Sequence, residues 1–531
     1  MQRRGLRVGH NHCVSRPVTI WAFAFFVLIL PWSVPFAQSL SIEVESYEVV
    51  GPNPLSDRAT RKLLRQFLGR HDSIEPVQRA AAALEEAIQD AGYAFYVVAV
   101  PPQPVNASTI KLEVTAFPIR DVQVTGNVHF SEDNIRRSLP ALEVGESPNT
   151  GAISRSLRVA NVHPSKRLRL RFASPEDVTG VPAQITVRDA KPYSVFFWGE
   201  NTGTEDTGEN RAGLGVQYTN LFDRDHVAIA TWTTSPDSEA DVNQYGVSYQ
   251  VPFYRAGGLL TVVAAQSDIN TGTVAEVFDI AGKGDAYSIE YTQLFPKLGE
   301  YQHQLRFGIE DKLFDNEIDF EGRPIGVDVR SRPGFVRYVG SRHGERVEWE
   351  VEAGYFHNVD SGTFNGDADY AASRAGADSR WSLVRLGASV KVRLGSWTVN
   401  AETEGQVADE PLIPGEQFGL TGAGAVRGFD ERELTSDRGY RGALELWTPT
   451  WRNWQLIAFV DAATGRLVDP LPGQLARETV TSAGLGFRWS FRNLLALSMY
   501  WARVLDGADP SGSGLTRKDD EKFHFNLIIR K

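Results

Sequence analysis

The sequence of 531 residues has a single cysteine, two methionines and no surplus of positive charge. Cys13 lies in what reads as a removable leader, so the mature chain would carry no thiol, which excludes disulfides and cysteine-held metals. Basic residues number 55 against 66 acidic ones, and the net charge of −11 argues against a nucleic-acid binder. The Gly-Lys-Ser/Thr phosphate loop, His-Glu-x-x-His and Gly-x-Ser-x-Gly are all missing, so the chain is read as no enzyme, with no cofactor and no metal. Beyond the leader, no apolar run approaches the roughly 20 residues of a membrane-spanning helix.

At the N-terminus Arg3, Arg4, Arg7 and Arg16 precede an apolar run from Val18 to Leu30. A basic segment, a short apolar segment and the small Ala37 make a secretory signal, with cleavage expected between Ala37 and Gln38. Pro35 departs from the small-x-small rule at that site. An exported chain without helical spans is either a soluble periplasmic protein or a membrane β-barrel. Its 48 glycines and 11% aromatic residues point to extensive β structure.

Residues 41–50 alternate as a strand and stop at Gly51-Pro52-Asn53-Pro54. Ala59, Leu63, Leu64 and Phe67 then fall at helical spacing up to Gly69, and a second helix is expected from about Pro76 to Gly92. Strands at Tyr93 to Val100 and Ser108 to Ala116 complete a β-α-α-β-β module. The same order restarts at Ile119, with a turn at Gly126-Asn127, helices opened by Ser131 and Asn149, and strands at Arg167 to Ala173 and Gln184 to Val187. The repeat is one of element order rather than of residues. The expected division is 1–37 leader, 38–118 and 119–192 as two modules, and 193–531 as a third unit.

After Pro192 the pattern is alternation. Tyr245, Val247, Tyr249, Val251 and Phe253 interleave with polar residues, as do Trp349, Val351, Ala353 and Tyr355 with Glu348, Glu350 and Glu352. The last run sets Phe523, Phe525, Leu527 and Ile529 against His524 and Asn526. An apolar face opposite a polar one fits a soluble sandwich or an outer-membrane barrel, and about 16 strands of about 10 residues fit the length available. The leader and the aromatic strand ends favour the barrel.

Glu348, Glu350 and Glu352 share one strand face and read as a hydrated lumen wall, and His303, His343, His357 and His524 lack metal-ligand spacing. Gly199 to Arg211 resembles a calcium loop only superficially and reads as a hairpin between two strands. The most informative stretch is Gly422-Ala-Gly-Ala-Val-Arg-Gly-Phe429, where glycines leave one guanidinium on a tight tip. Inside a barrel Arg427 would need a carboxylate, and Asp461 qualifies because alternation turns it opposite to Val460. An exposed loop arginine is the other reading.

These residues resemble the outer-membrane transporters of two-partner secretion, the TpsB family of ShlB/FhaC/HecB-type hemolysin secretion/activation proteins. The resemblance rests on Val49-Val50-Gly51-Pro52-Asn53-Pro54-Leu55, Gly92-Tyr93-Ala94-Phe95, Val124-Thr125-Gly126-Asn127, Asn161-Val162-His163-Pro164-Ser165-Lys166, Asn220-Leu221-Phe222-Asp223-Arg224-Asp225 and Val426-Arg427-Gly428-Phe429. It implies a transmembrane β-barrel of 16 antiparallel strands preceded by two periplasmic α+β POTRA domains, in the outer membrane of a Gram-negative cell. Val426, Arg427, Gly428 and Phe429 would form the tip of the sixth extracellular loop, folded back into the pore, with Arg427 paired to Asp461. The implied activity is export of an unfolded exoprotein of hemolysin or adhesin type, without ATP, after the POTRA domains recognise its secretion domain. Implied partners are that exoprotein, outer-membrane lipid and the barrel-assembly machinery.

Two features depart from the family pattern. A first strand so close to Ala37 leaves no room for the pore-plugging helix of many relatives, and the chain ends Ile529-Arg530-Lys531 rather than on an aromatic residue. The alternatives are a general diffusion porin, for which the two modules have no evident use, and a barrel-assembly insertase, which usually carries more of them.

Overall fold

The computed structural model describes residues 42–531 except 105–106, 174–179, 205–206, 238–241, 269–271, 275–277, 281–282, 316–318, 321–322, 325–326, 493 and 509–514. The leader expected over residues 1–37 therefore lies outside the described residues, and among these no helix is long and apolar enough to cross a membrane.

The first module contains β1 (Ile42–Val44), β2 (Ser46–Val50), α1 (Asp57–Leu64), β3 (Gly69–His71), α2 (Glu75–Asp90), β4 (Tyr96–Ala99) and β5 (Thr109–Ala116). Where the sequence reads as one strand over 41–50, the chain breaks at Glu45: β1 pairs with β3, and β2 joins a separate sheet of order β2-β5-β4. Ser56 caps α1 by accepting a hydrogen bond from Ala59 N–H. Along α2, Val77, Ala80, Ala81, Leu84 and Ile88 recur at helical spacing and are buried against Leu112 and Val114 of β5.

The second module repeats the plan with β6 (Ile119–Thr125), α3 (Glu132–Arg137), α4 (Thr150–Val162), β7 (Lys166–Phe172) and β8 (Val181–Asp189), its sheet running β6-β8-β7. In both modules the first sheet strand pairs parallel, and the third antiparallel, to the central one. The repeat extends to one backbone requirement. Gly51 and Gly126 each end the first strand at positive φ (98° and 84°), and a Cβ there would stand 2.2 Å and 2.5 Å from the carbonyl oxygens of Val114 and Val187.

From Tyr193 onward the long strands form one closed antiparallel barrel, with short two-stranded pairings in its loops. Val329–Ser331 and Pro333–His343 pair in succession with Tyr301–Phe314, and counting them as one strand gives 16. The last strand, Glu521–Arg530, closes on the first, Tyr193–Glu200, from Asn526 opposite Glu200 to Arg530 opposite Phe196. Val351, Tyr355, Leu386, Val407, Leu444, Val460 and Leu485 point outward and are exposed, a composition suited only to lipid. The chain enters from the second module, so turns such as 222–225 and 254–257 lie on its side, and long loops such as 359–381 and 409–437 on the other.

Candidate functional site

Residues 409–437 join the eleventh strand, Trp397–Ala408, to the twelfth, Arg438–Trp447, and fold back inside the barrel. Val426 and Phe429 are fully buried with Leu420 and Leu434 of the same loop against Ala463, Val480 and Val504 of the wall. Between them Arg427 donates from Nε and Nη2 to the two carboxylate oxygens of Asp461, 2.7 Å each, while its backbone N–H reaches Asp461 at 3.1 Å. Nη1 donates to Glu445 at 2.7 Å, and the guanidinium lies 3.5 Å from the centre of the Phe459 ring and 4.9 Å from that of Tyr500. One cation thus satisfies two buried carboxylates and stacks on an aromatic wall, which the planar fork of arginine permits and an ammonium does not. Gly428 supplies positive φ (101°) and donates its N–H to His524 Nε2 at 3.0 Å.

Further contacts tie the loop to both sides of the lumen. Glu416 meets Lys312 at 2.6 Å, Glu433 accepts from Thr516 N–H and Oγ1, and Asp430 pairs with Lys522.

A second polar cluster joins the second module to the barrel. Lys166, at the start of β7, places Nζ 2.5 Å from Asp225 Oδ2 in the turn between the second and third strands, and 2.8 Å from both Asn134 Oδ1 and Ser138 Oγ. Asn134 Nδ2 donates to Asn220 Oδ1, to the Asp223 carbonyl and to Asp225 Oδ1. Tyr254, in the next turn on that side, donates its hydroxyl to Asp225. Burial alone would raise the Asp225 carboxyl, but Lys166 and the Tyr254 hydroxyl outweigh it and hold it below its ordinary range. Burial, reinforced by Asp225, lifts the Tyr254 phenol well above its ordinary range, so it stays a donor. His163 donates Nε2–H to the Thr219 carbonyl (2.6 Å) and takes a hydrogen bond on Nδ1 from Ser165 N–H, the pattern of a neutral ring.

Of the residues singled out in the sequence, Val426, Arg427, Gly428, Phe429 and Asp461 come together in the lumen. Glu348, Glu350 and Glu352 do not converge on a site: Glu348 pairs with Arg393, and Glu352 lies 3.3 Å from Arg337. Among the described residues no group of histidines and carboxylates could hold a metal ion. Sequence reasoning missed Glu445, though Leu444 and Leu446 flank it outward and turn it into the lumen, and it missed the contact of His524 with the loop tip.

Comparison with known proteins places this geometry. Residues 183–489, more than half the chain, match the family model for haemolysin secretion/activation protein ShlB/FhaC/HecB, and residues 42–116 match that for the ShlB-type POTRA domain. The outer membrane transporter CdiB of Dickeya dadantii is 22% identical over 431 residues, 77% of this chain and 73% of that protein. The heme/hemopexin transporter protein HuxB of Haemophilus influenzae is 19% identical over 195 residues, 36% of this chain and 34% of its own. The solved structure of CdiB from Escherichia coli has the same fold, with a TM-score of 0.68, 14% identity and coverage of 95% of this chain and 93% of that one.

Proposed function

Because this chain belongs to the haemolysin secretion/activation family ShlB/FhaC/HecB, outer-membrane transporters with periplasmic POTRA domains, we propose that it exports one partner exoprotein of two-partner secretion type. The POTRA domains take the exoprotein's secretion domain, and the chain passes unfolded through the barrel to the cell surface. The step runs without ATP, as the resemblance to two-partner secretion transporters implies. The leader, residues 1–37, sends the chain across the inner membrane, and the barrel-assembly machinery inserts residues 193–531. The loop carrying Arg427 gates the conduit through its pairing with Asp461. The observation that carries this reading is the buried Lys166–Asp225 joint, which holds a polypeptide-handling module against the periplasmic turns of the barrel.

Capture proceeds by strand addition, and the edge best suited is β2. The opposite edge of that sheet is occupied where Glu85 of α2 accepts from Val98 N–H of β4. In the second module Asn161 of α4 takes both the N–H and the carbonyl of Leu168 on β7, while Arg136 takes the Val122 carbonyl of β6. In the parallel ladder of β2 with β5, Ser46, Glu48 and Val50 bond inward, which turns the backbone groups of Tyr47 and Val49 outward.

The test is export itself. A large exoprotein bearing an N-terminal secretion domain, encoded beside this chain, is expressed with and without it and measured in the medium. Export that requires this chain supports the reading. Intact cargo left in the periplasm beside a correctly inserted barrel overturns it for that partner.

A further inference from the structure

Asp437 is the last residue of the long loop before the twelfth strand, and its carboxylate is fully buried. Arg374, which follows the helix Asp367–Ser373 in the loop 359–381, closes on it with both arms: Nη1 reaches Oδ1, and Nη2 reaches Oδ2 at 2.7 Å. The same guanidinium donates to the carbonyls of Leu412 (2.6 Å) and Val468 (3.2 Å). Asp437 in turn accepts from the N–H groups of Leu412 (3.0 Å) and Val468 (2.7 Å) and from Gln417 Nε2 (3.2 Å). One ion pair therefore binds three extracellular loops: 359–381, both roots of 409–437, and 467–476.

The loop held by Arg374 occupies the outer end of the lumen. Its Tyr370 and Trp381 are fully buried against inward-facing Phe314, Phe335 and Phe356 of the wall and against Leu412 and Ile413 at the root of the long loop. Asn358 fastens this packing through Asn365 and the Tyr370 hydroxyl. Glu445, which holds the Arg427 tip, stands eight residues further along the same strand than Asp437. At the rise of an extended strand that separation is roughly 25 Å along the wall.

We propose that Arg374 and Asp437 form an outer latch, distinct from the Arg427 pair, which positions the helical loop 359–381 over the exit and must part before a polypeptide can leave. Releasing the Arg427 tip alone leaves both roots of its loop and the helical cap pinned. Removing either partner of a buried ion pair strands the other charge, which drives the cluster to open towards water. The inference rests on the barrel being the conduit, but it can be read without any cargo.

The experiment is the conductance of the full-length protein in planar bilayers, with barrel folding checked by heat-modifiable electrophoretic mobility. Arg374→Ala and Asp437→Asn are expected to raise the open-time fraction by at least about tenfold over wild type. Arg374→Lys, which keeps the charge but cannot grip both carboxylate oxygens and the two carbonyls at once, should fall between wild type and Arg374→Ala. Wild-type conductance from a folded Arg374→Ala barrel would overturn the latch. Silence at every voltage in wild type, in Arg374→Ala and in Arg374→Ala combined with Arg427→Ala would overturn the conduit reading instead.

Discussion

Lys166 Nζ stands 2.5 Å from Asp225 Oδ2, with both side chains almost wholly withdrawn from water, and this contact fixes the second POTRA domain to the barrel. The link between the two POTRA domains is of a different kind: Gly92 accepts from Thr150 N–H and Oγ1, and the Phe95 and Phe172 rings meet edge to face at 4.8 Å. A buried ion pair with every neighbour satisfied resists opening far more than neutral bonds at a partly exposed joint. Lys166→Ala or Asp225→Ala is accordingly expected to weaken docking by about 3–5 kcal/mol. Lys166→Met together with Asp225→Leu should recover much of the loss. Hydrogen exchange in the turn 222–225 and in α3 measures it, and unchanged protection in the single variants would count against the joint.

Docking should also depend on pH through His163. Burial holds this imidazole below its ordinary pKa of 6.5, with Asp225 opposing that shift and Lys166 and Arg167 reinforcing it. Once undocked, the ring would regain its ordinary value and bind a proton that the docked ring refuses. Docking strength is then fully present above about pH 6.5 and declines as pH falls below it. A second decline follows below 3.8, where Asp225, whose pKa is depressed in the docked state, takes up its proton. In His163→Gln, whose amide can still donate to Thr219, the first decline should vanish and the second remain. Limited proteolysis of the inter-domain joint across this range checks both.

At the loop tip, Arg427→Ala is expected to leave the barrel inserted and to lower export by at least about tenfold, because Asp461 and Glu445 lose the cation they share. Arg427→Lys should fall nearly as far, since a single ammonium cannot bridge both carboxylates and stack on Phe459. Secretion at the wild-type rate from either variant, with the barrel folded, would remove the gating role.

Much of this architecture was legible because its period is short. Alternation sorts Val460 to lipid and Asp461 to the lumen, and helical spacing marks the buried face of α2. What escaped is what closure of the chain creates. Glu445 meets Arg427 only because the loop re-enters the barrel, and nothing near Thr435-Ser436-Asp437 distinguishes a fully buried carboxylate from a loop charge. Lys166 and Asp225 fall in stretches that carry the family resemblance, yet their pairing depends on how the second module docks against a turn. The break at Glu45 was hidden for a local reason: three-residue strands such as β1 and β3 are too short for any periodic signal.

The edge proposed for cargo capture can be tested by chemistry the native chain does not interfere with. Cys13 is the sole cysteine, so in a Cys13→Ser background a single introduced thiol reacts alone. Glu48, on the exposed face of β2, would stand about 5 Å at Cβ from the opposite residue of an added strand. Glu48→Cys should therefore form disulfides with cysteines placed at alternate positions along one segment of the secretion domain, and not with those between them. The same scan from Val97→Cys on β4 and Arg169→Cys on β7 should give little, because Glu85 and Asn161 occupy those edges. Alternation is the signature of a strand in register, whereas uniform labelling indicates a loosely held chain. Strong alternate cross-links from β4 or β7 would mean that the cargo displaces those side chains, and the assignment to β2 would fall.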